Sequence, residues 1–113
     1  MLPKKNRLSR EKEIKNLLKA GRSIKGNLVD IRYFKSGPGQ TRFLFLVSAK
    51  TAKKAHERNK IRRYLSEIFF RLLPRLNEYD YALIAKKNII GKNQRDIENE
   101  ILGLLEGVGL LAS

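Results

Sequence analysis

Residues 55 to 72, AHERNKIRRYLSEIFFRL, decide how the rest of the chain must be arranged. Ile61, Leu65, Ile68 and Leu72 recur at i, i+4, i+7 and i+11, the spacing of one buried helix stripe, and Pro74 ends the run. A helix is therefore predicted from about Ala55 to Leu72. Strand-like stretches flank it: TRFLFLVS, residues 41 to 48, comes before, and YDYALIAKK, residues 79 to 87, comes after. A helix between two strands implies a crossover connection. The economical fold is α/β (α+β), a mixed sheet with helices packed on it as a sandwich.

Upstream, NLVDIRYFK at 27 to 35 is rich in β-branched and aromatic residues, and SGPGQ separates it from 41 to 48 as a loop signal. These two stretches are predicted to pair as an antiparallel hairpin, with a short piece around residues 22 to 25 adding an edge. In the second strand Phe43, Phe45 and Val47 alternate with Leu44 and Leu46, so both of its faces should be covered, one of them by helix. Ser9 precedes REKEIKNLLKAG as an N-cap, Glu11 falls in the first turn, and Gly21 stands where a left-handed C-cap belongs. This first helix, roughly 10 to 20, would bury Ile14, Leu17 and Leu18 between lysines. A last helix is signalled by Ile97, Ile101, Leu104 and Val108, with Asn93 as cap and Gly107 or Gly109 at its end. The order is α, β, β, α, β, α with the short extra strand, and residues 1–113 read as a single domain.

Composition narrows the function. Cysteine is absent and His56 is the single histidine, which argues against a disulfide framework, a cysteine metal site and a histidine-ligated zinc. The longest apolar run, FLFLV at 43 to 47, is far below the ~20 residues of a membrane helix, and the basic start lacks the apolar segment of a secretory signal. The default address is the cytoplasm. A net charge of +14, from 25 basic and 11 acidic residues, points to polyanionic partners. A membrane surface fits less well, because tryptophan is absent. The charge is uneven. Residues 1 to 25 carry nine Lys or Arg and residues 50 to 63 carry seven, whereas 96 to 113 carry four acids and no base. The binding face should therefore come from the first and middle blocks, with the last helix elsewhere or structural.

Around the middle helix, with Ile61 at the core, Asn59, Arg63 and His56 fall opposite and Lys60 and Arg62 lie on the flanks. Arg58 lies nearer the apolar edge and must snorkel outward or brace the preceding loop. A merely solvated face mixes signs to gain i,i+4 pairs, yet residues 58 to 66 contain no acid. Like charges so close cost a few tenths of a kcal/mol, on the order of 0.2–0.5, per pair. Such a face suits a ligand: Arg for bidentate phosphate contact, Asn for a base edge or sugar, Lys as a mobile charge.

These same residues carry a family resemblance. VSAKTAKKAHERNKIRRYLSEIFF, residues 47 to 70, followed by YDYALIAKK, resembles the protein subunit of bacterial ribonuclease P, and Arg58, Asn59, Lys60, Ile61, Arg62 and Arg63 match its characteristic stretch. The opening LPKKNRLSREKEIKNLLKAGRS is similar as well, so the resemblance covers most of the chain. It implies a two-layer sandwich like the second domain of ribosomal protein S5, with a left-handed crossover where general topology favours the right-handed one. It also implies that an RNA subunit, using Mg2+, hydrolyses the 5′ leader from precursor tRNA. The protein would bind that RNA through Arg58, Asn59, Lys60, Arg62 and Arg63, with Lys50, Lys53 and Lys54 as further candidates, and would hold the leader in a cleft on the sheet. Candidates for the cleft are Ile14, Leu18, Tyr33, Phe34 and Phe43. The family commonly has aromatic residues where Ile14 and Leu18 stand, so stacking there is lost. The spacing from Ser48 to Arg58 is one residue longer than the commonest family pattern.

A protein-only nuclease would need clustered carboxylates or paired histidines. The acids are scattered instead, and Asp80 sits alone among apolar residues. Tyr79 and Tyr81 read as packing, and no phosphate-binding glycine loop occurs. A non-catalytic subunit of a ribonucleoprotein is therefore expected, with no cofactor of its own. A ribosomal or other basic RNA-binding module is the alternative.

Overall fold

The computed structural model describes residues 2–35 and 41–111. In chain order these form α1 (Glu11–Ala20), β1 (Arg22–Ile24), β2 (Val29–Phe34), β3 (Arg42–Leu46), α2 (Ala55–Leu72), β4 (Asp80–Ala85) and α3 (Gln94–Gly107). The middle helix has the bounds that its apolar spacing and Pro74 predict. The short strand at residues 22 to 25 is present as β1, paired antiparallel with β2.

The sheet order is β1-β2-β4-β3, with β2 antiparallel and β3 parallel to β4. β3, α2 and β4 thus make the expected crossover. The antiparallel hairpin between 27–35 and 41–48 does not form, because β4 lies between its two strands. The reason is burial: β4 is covered on both faces, with five of its six residues buried, and takes the centre of the sheet. The SGPGQ loop lies outside the described residues.

Strand alternation sends side chains to two cores. Val29, Ile31, Phe43, Tyr81 and Leu83 face α2 and α3, packing with Leu65, Ile68, Phe69, Ile97, Ile101 and Leu105. On the other face Ala82 packs with Leu8 and Leu17, and with half-buried Ile14, Phe34 and Leu44. The sheet with α2 and α3 is the expected sandwich, and α1 covers part of the opposite face.

Two end signals of α1 differ from expectation. The N-cap is Arg10, without a side-chain cap, because the Leu8 N–H is held by the Phe43 carbonyl at 2.9 Å and the chain stays extended past Ser9. Gly21 is not left-handed, with φ −69°. Space is what requires glycine there: a Cβ would stand 2.3 Å from the Leu17 carbonyl oxygen. At the other end of the chain Asn93 caps α3 as predicted, its Oδ1 accepting the Asp96 N–H at 2.8 Å. The fully buried stripe of α3 runs Ile97, Ile101, Leu105 rather than through Leu104 and Val108, since the helix stops at Gly107 and Val108 is left 44% exposed. Gly109 then takes φ +73°, the conformation for which glycine is suited.

Asp80, isolated in sequence, is not isolated in space. Its parallel register opposite Arg42 lets the guanidinium meet both carboxylate oxygens at 2.9 Å, and Arg42 also reaches Glu13 of α1 at 2.7 Å. Asp80's hydrogen bonds hold Arg42 still more firmly protonated, against the opposing effect of burial. A second carboxylate, Glu100 of α3, accepts the backbone N–H groups of Asn27, Leu28 and Val29 at 2.8, 2.7 and 3.0 Å. It fastens the β1–β2 turn to the last helix. Arg71 at the end of α2 pairs with Glu98, which ties α3 to the middle helix.

Candidate nucleic-acid interface

The rotation of α2 is fixed by Ile61, Leu65, Ile68, Phe69 and Leu72, all buried. That leaves Asn59, Lys60, Arg62 and Arg63 exposed, as the helical geometry predicts. They are not equivalent. Arg62 leans toward the sheet, its Nη1 donating to Asn59 Oδ1 at 3.2 Å and its Nη2 to the Val47 carbonyl at 3.4 Å. Lys60 turns to the other flank, where its ammonium stands 5.7 Å from the Tyr64 ring centroid, within cation–π range. Arg63 has no polar partner among the described residues, so its guanidinium is open to a ligand. Arg58 braces the preceding loop, as the wheel allowed: its Nη1 donates to the carbonyls of Ala52 and Lys53, both at 2.9 Å. Its expected role in binding is therefore reduced to what its remaining N–H groups can reach.

Lys50, Lys53 and Lys54 are exposed on that loop. The loop is held in shape, since the Ser48 hydroxyl accepts the Thr51 N–H at 3.2 Å and the Thr51 hydroxyl donates to the Ala85 carbonyl at 3.2 Å. The three lysines thus present charge from an anchored turn beside the start of α2, and His56 is exposed nearby.

Sequence reasoning missed a groove of about 550 Å3 on the sheet side of α2. The N-terminal segment supplies Arg7 and Leu8, the β3 edge supplies Phe43, Leu44 and Phe45, and α2 supplies Asn59, Arg62, Arg63, Ser66 and Glu67. No sequence signal marks it, because it exists only where residues 7 and 8 run beside β3, in the parallel bridge of Arg7 with Phe43.

The five cleft candidates divide between the two faces of the sheet. Ile14 and Phe34 sit half-buried under α1, and Leu18 is 37% exposed next to Lys12, Lys15 and Lys19 in a shallow depression. Phe43, only 2% exposed, belongs to the opposite core, and Tyr33 packs on that side against Tyr79 at 5.9 Å between ring centroids. One cleft cannot gather all five, because successive strand residues point to opposite faces. Among the described residues no three His, Asp or Glu side chains gather into a metal-ligand set. No described helix is long and apolar enough to cross a membrane.

A small mixed sheet that holds a predominantly cationic helix face against solvent defines a nucleic-acid-binding α+β domain. Residues 2–109 match the family described as Ribonuclease P, and the chain belongs to that family. It is 43% identical over 61 residues to the ribonuclease P protein component of Buchnera aphidicola subsp. Schizaphis graminum, a match covering 54% of each chain. It is 27% identical to that of Syntrophomonas wolfei, covering 99% of this chain and 94% of the relative. The solved structure of the Staphylococcus aureus RNase P protein superposes with a TM-score of 0.85 at 20% identity, covering 94% of this chain and 97% of that one. At that identity the likeness bears on the fold alone.

Proposed function

We propose that this chain is the protein subunit of a ribonucleoprotein ribonuclease P, acting in the cytoplasm, and that it assists an RNA subunit in removing the 5′ leader of precursor tRNA. The observation that carries the reading is the α2 face, where Asn59, Lys60, Arg62 and Arg63 meet solvent on a helix whose rotation is locked from behind. A rigid array of forked donors matches the phosphates of a structured RNA better than a fluid membrane surface. Lys50, Lys53 and Lys54 extend it, and Arg58 holds the loop that carries them.

In this reading Mg2+ bound by the RNA supplies the activated water for hydrolysis. The protein's residues add affinity and position: cations on α2 screen the RNA subunit's phosphates, and a second surface meets the substrate. For that surface the α1 side is favoured, where half-buried Ile14 and Phe34 pack between α1 and the sheet and Leu18 stands exposed among Lys12, Lys15 and Lys19. Tyr33 and Phe43 pack on the other face of the sheet, where Phe43 also lines the groove beside α2. With aliphatic residues on α1, leader contact there depends on lysine charge more than on ring stacking.

Reconstitution tests the proposal. The protein is added to a catalytic RNA and a precursor tRNA at low Mg2+, and faster leader removal is the expected result. No gain would leave a basic RNA-binding module without a role in cleavage, and cleavage without any RNA subunit would point to a protein-only nuclease.

A further inference from the structure

The groove beside α2 contains more than cations. The Arg42 N–H donates to the Tyr79 carbonyl at 3.2 Å, so Arg42, Leu44 and Leu46 turn their peptide groups toward β4. Phe43, Phe45 and Val47 turn theirs to the open edge. The Phe43 carbonyl there accepts from Leu8 at 2.9 Å and the Val47 carbonyl from Arg62 at 3.4 Å. Between them the N–H and C=O of Phe45 have no partner among the described residues. A donor and an acceptor side by side on a strand edge offer a nucleobase the kind of contact another base would offer.

The lining also holds one acid. Glu67 stands one turn beyond Arg63, exposed, and makes no ion pair among the described residues. A carboxylate repels phosphate, so a groove meant for backbone alone is weakened by it. It is well matched to two adjacent N–H donors, and guanine, alone among the four common bases, carries such a pair at N1 and N2. Leu44 and half-buried Phe45 flank the groove from the two faces of β3, Arg7 and Arg63 line it with charge suited to a phosphate, and about 550 Å3 admits one nucleotide.

We propose that this groove takes a single unpaired guanosine of the bound RNA, with Glu67 accepting from the N1–H and N2–H of the base. This deepens the function proposed above and rests on α2 facing RNA.

The test uses the full chain and fluorescence anisotropy with the pentamers UUGUU, UUIUU, UUAUU and UUCUU, at about 50 and 200 mM salt. The guanosine pentamer should bind about tenfold more tightly than the adenosine and cytidine ones, the scale of one bidentate contact, with inosine intermediate because it lacks the amino group. Glu67→Gln should bring all four within about twofold while leaving the salt slope in place. The Phe45 amide signal should move on adding UUGUU and not on adding UUAUU. Salt-dependent binding that ignores the base, or a guanosine preference that survives in Glu67→Gln, would overturn the proposal and leave the α2 interface standing. Absence of salt-dependent binding to any pentamer would defeat both readings. A Phe45 shift produced only by an extended peptide would assign the edge to a protein strand instead.

Discussion

Arg42 on β3 and Arg63 on α2 use one functional group in opposite ways. Arg42 is held between Asp80 and Glu13 at 2.7 to 2.9 Å, across two strands and a helix. Arg63 stands on a helix face with no partner among the described residues and no acid from residue 58 to 66. The same division runs through the carboxylates: Glu100 is consumed by three backbone N–H groups, whereas Glu67 meets none. Charge with its counter-charge built in fixes the fold, and charge left without one is displayed for a partner. Total charge alone does not distinguish the two.

That contrast can be broken from the structural side first. Asp80→Ala leaves Arg42 largely buried beside a single carboxylate, and is expected to cost about 3–5 kcal/mol in urea unfolding, as for a buried pair that loses one member. A loss below about 1 kcal/mol would move Arg42 to the class of surface pairs. Gly21→Ala comes next, at about 2 kcal/mol, since the new methyl group meets the Leu17 carbonyl oxygen at 2.3 Å and the backbone must shift. An unchanged midpoint would show that the α1–β1 corner yields freely.

Tyr81 sharpens the comparison through pH. It is fully buried, its hydroxyl donates to the Asn77 carbonyl at 2.8 Å, and burial, with smaller contributions from Tyr79 and Tyr33, pushes its pKa up. The unfolded chain ionises first, near the ordinary value of about 10, so this contribution is intact below that pH and is lost as pH rises toward the folded value. Tyr81→Phe should cost about 1 kcal/mol at neutral pH and flatten the alkaline decline in stability. A decline equally steep in the variant would assign it to other groups. The smallest effect on stability belongs to Arg63→Ala, within about 0.5 kcal/mol. The same change should lower the salt slope of RNA binding by about one unit. A full-size slope would show that Arg63 touches no phosphate.

Local chemistry was legible in the sequence, and long-range pairing was not. α2 was readable from end to end because Ile61, Leu65, Ile68 and Leu72 declare its buried side and Pro74 its limit. The loop-bracing option for Arg58 followed from its angle on the same wheel. The place of β4 between β2 and β3 was hidden, since adjacency in sequence favoured a hairpin and nothing local to DYALIA says which neighbours it will take. Asp80 looked stranded for the same reason, its partner being 38 residues away. Of the interface, the cations could be read directly. The groove could not, because it depends on Arg7 and Leu8 lying along the far edge of β3, and nothing local in the sequence sets Glu67 apart from other acids.

The central position of β4 also sets an order of events during synthesis. β2 and β3 leave the ribosome with no mate for their inner edges, and the sheet cannot close until Ala85 has emerged, some fifty residues after Phe34. The Glu100 clamp on the β1–β2 turn comes later still. Both strands and the cationic α2 therefore emerge before the core can form, so closure of the sheet is a long-range step rather than segment-by-segment folding.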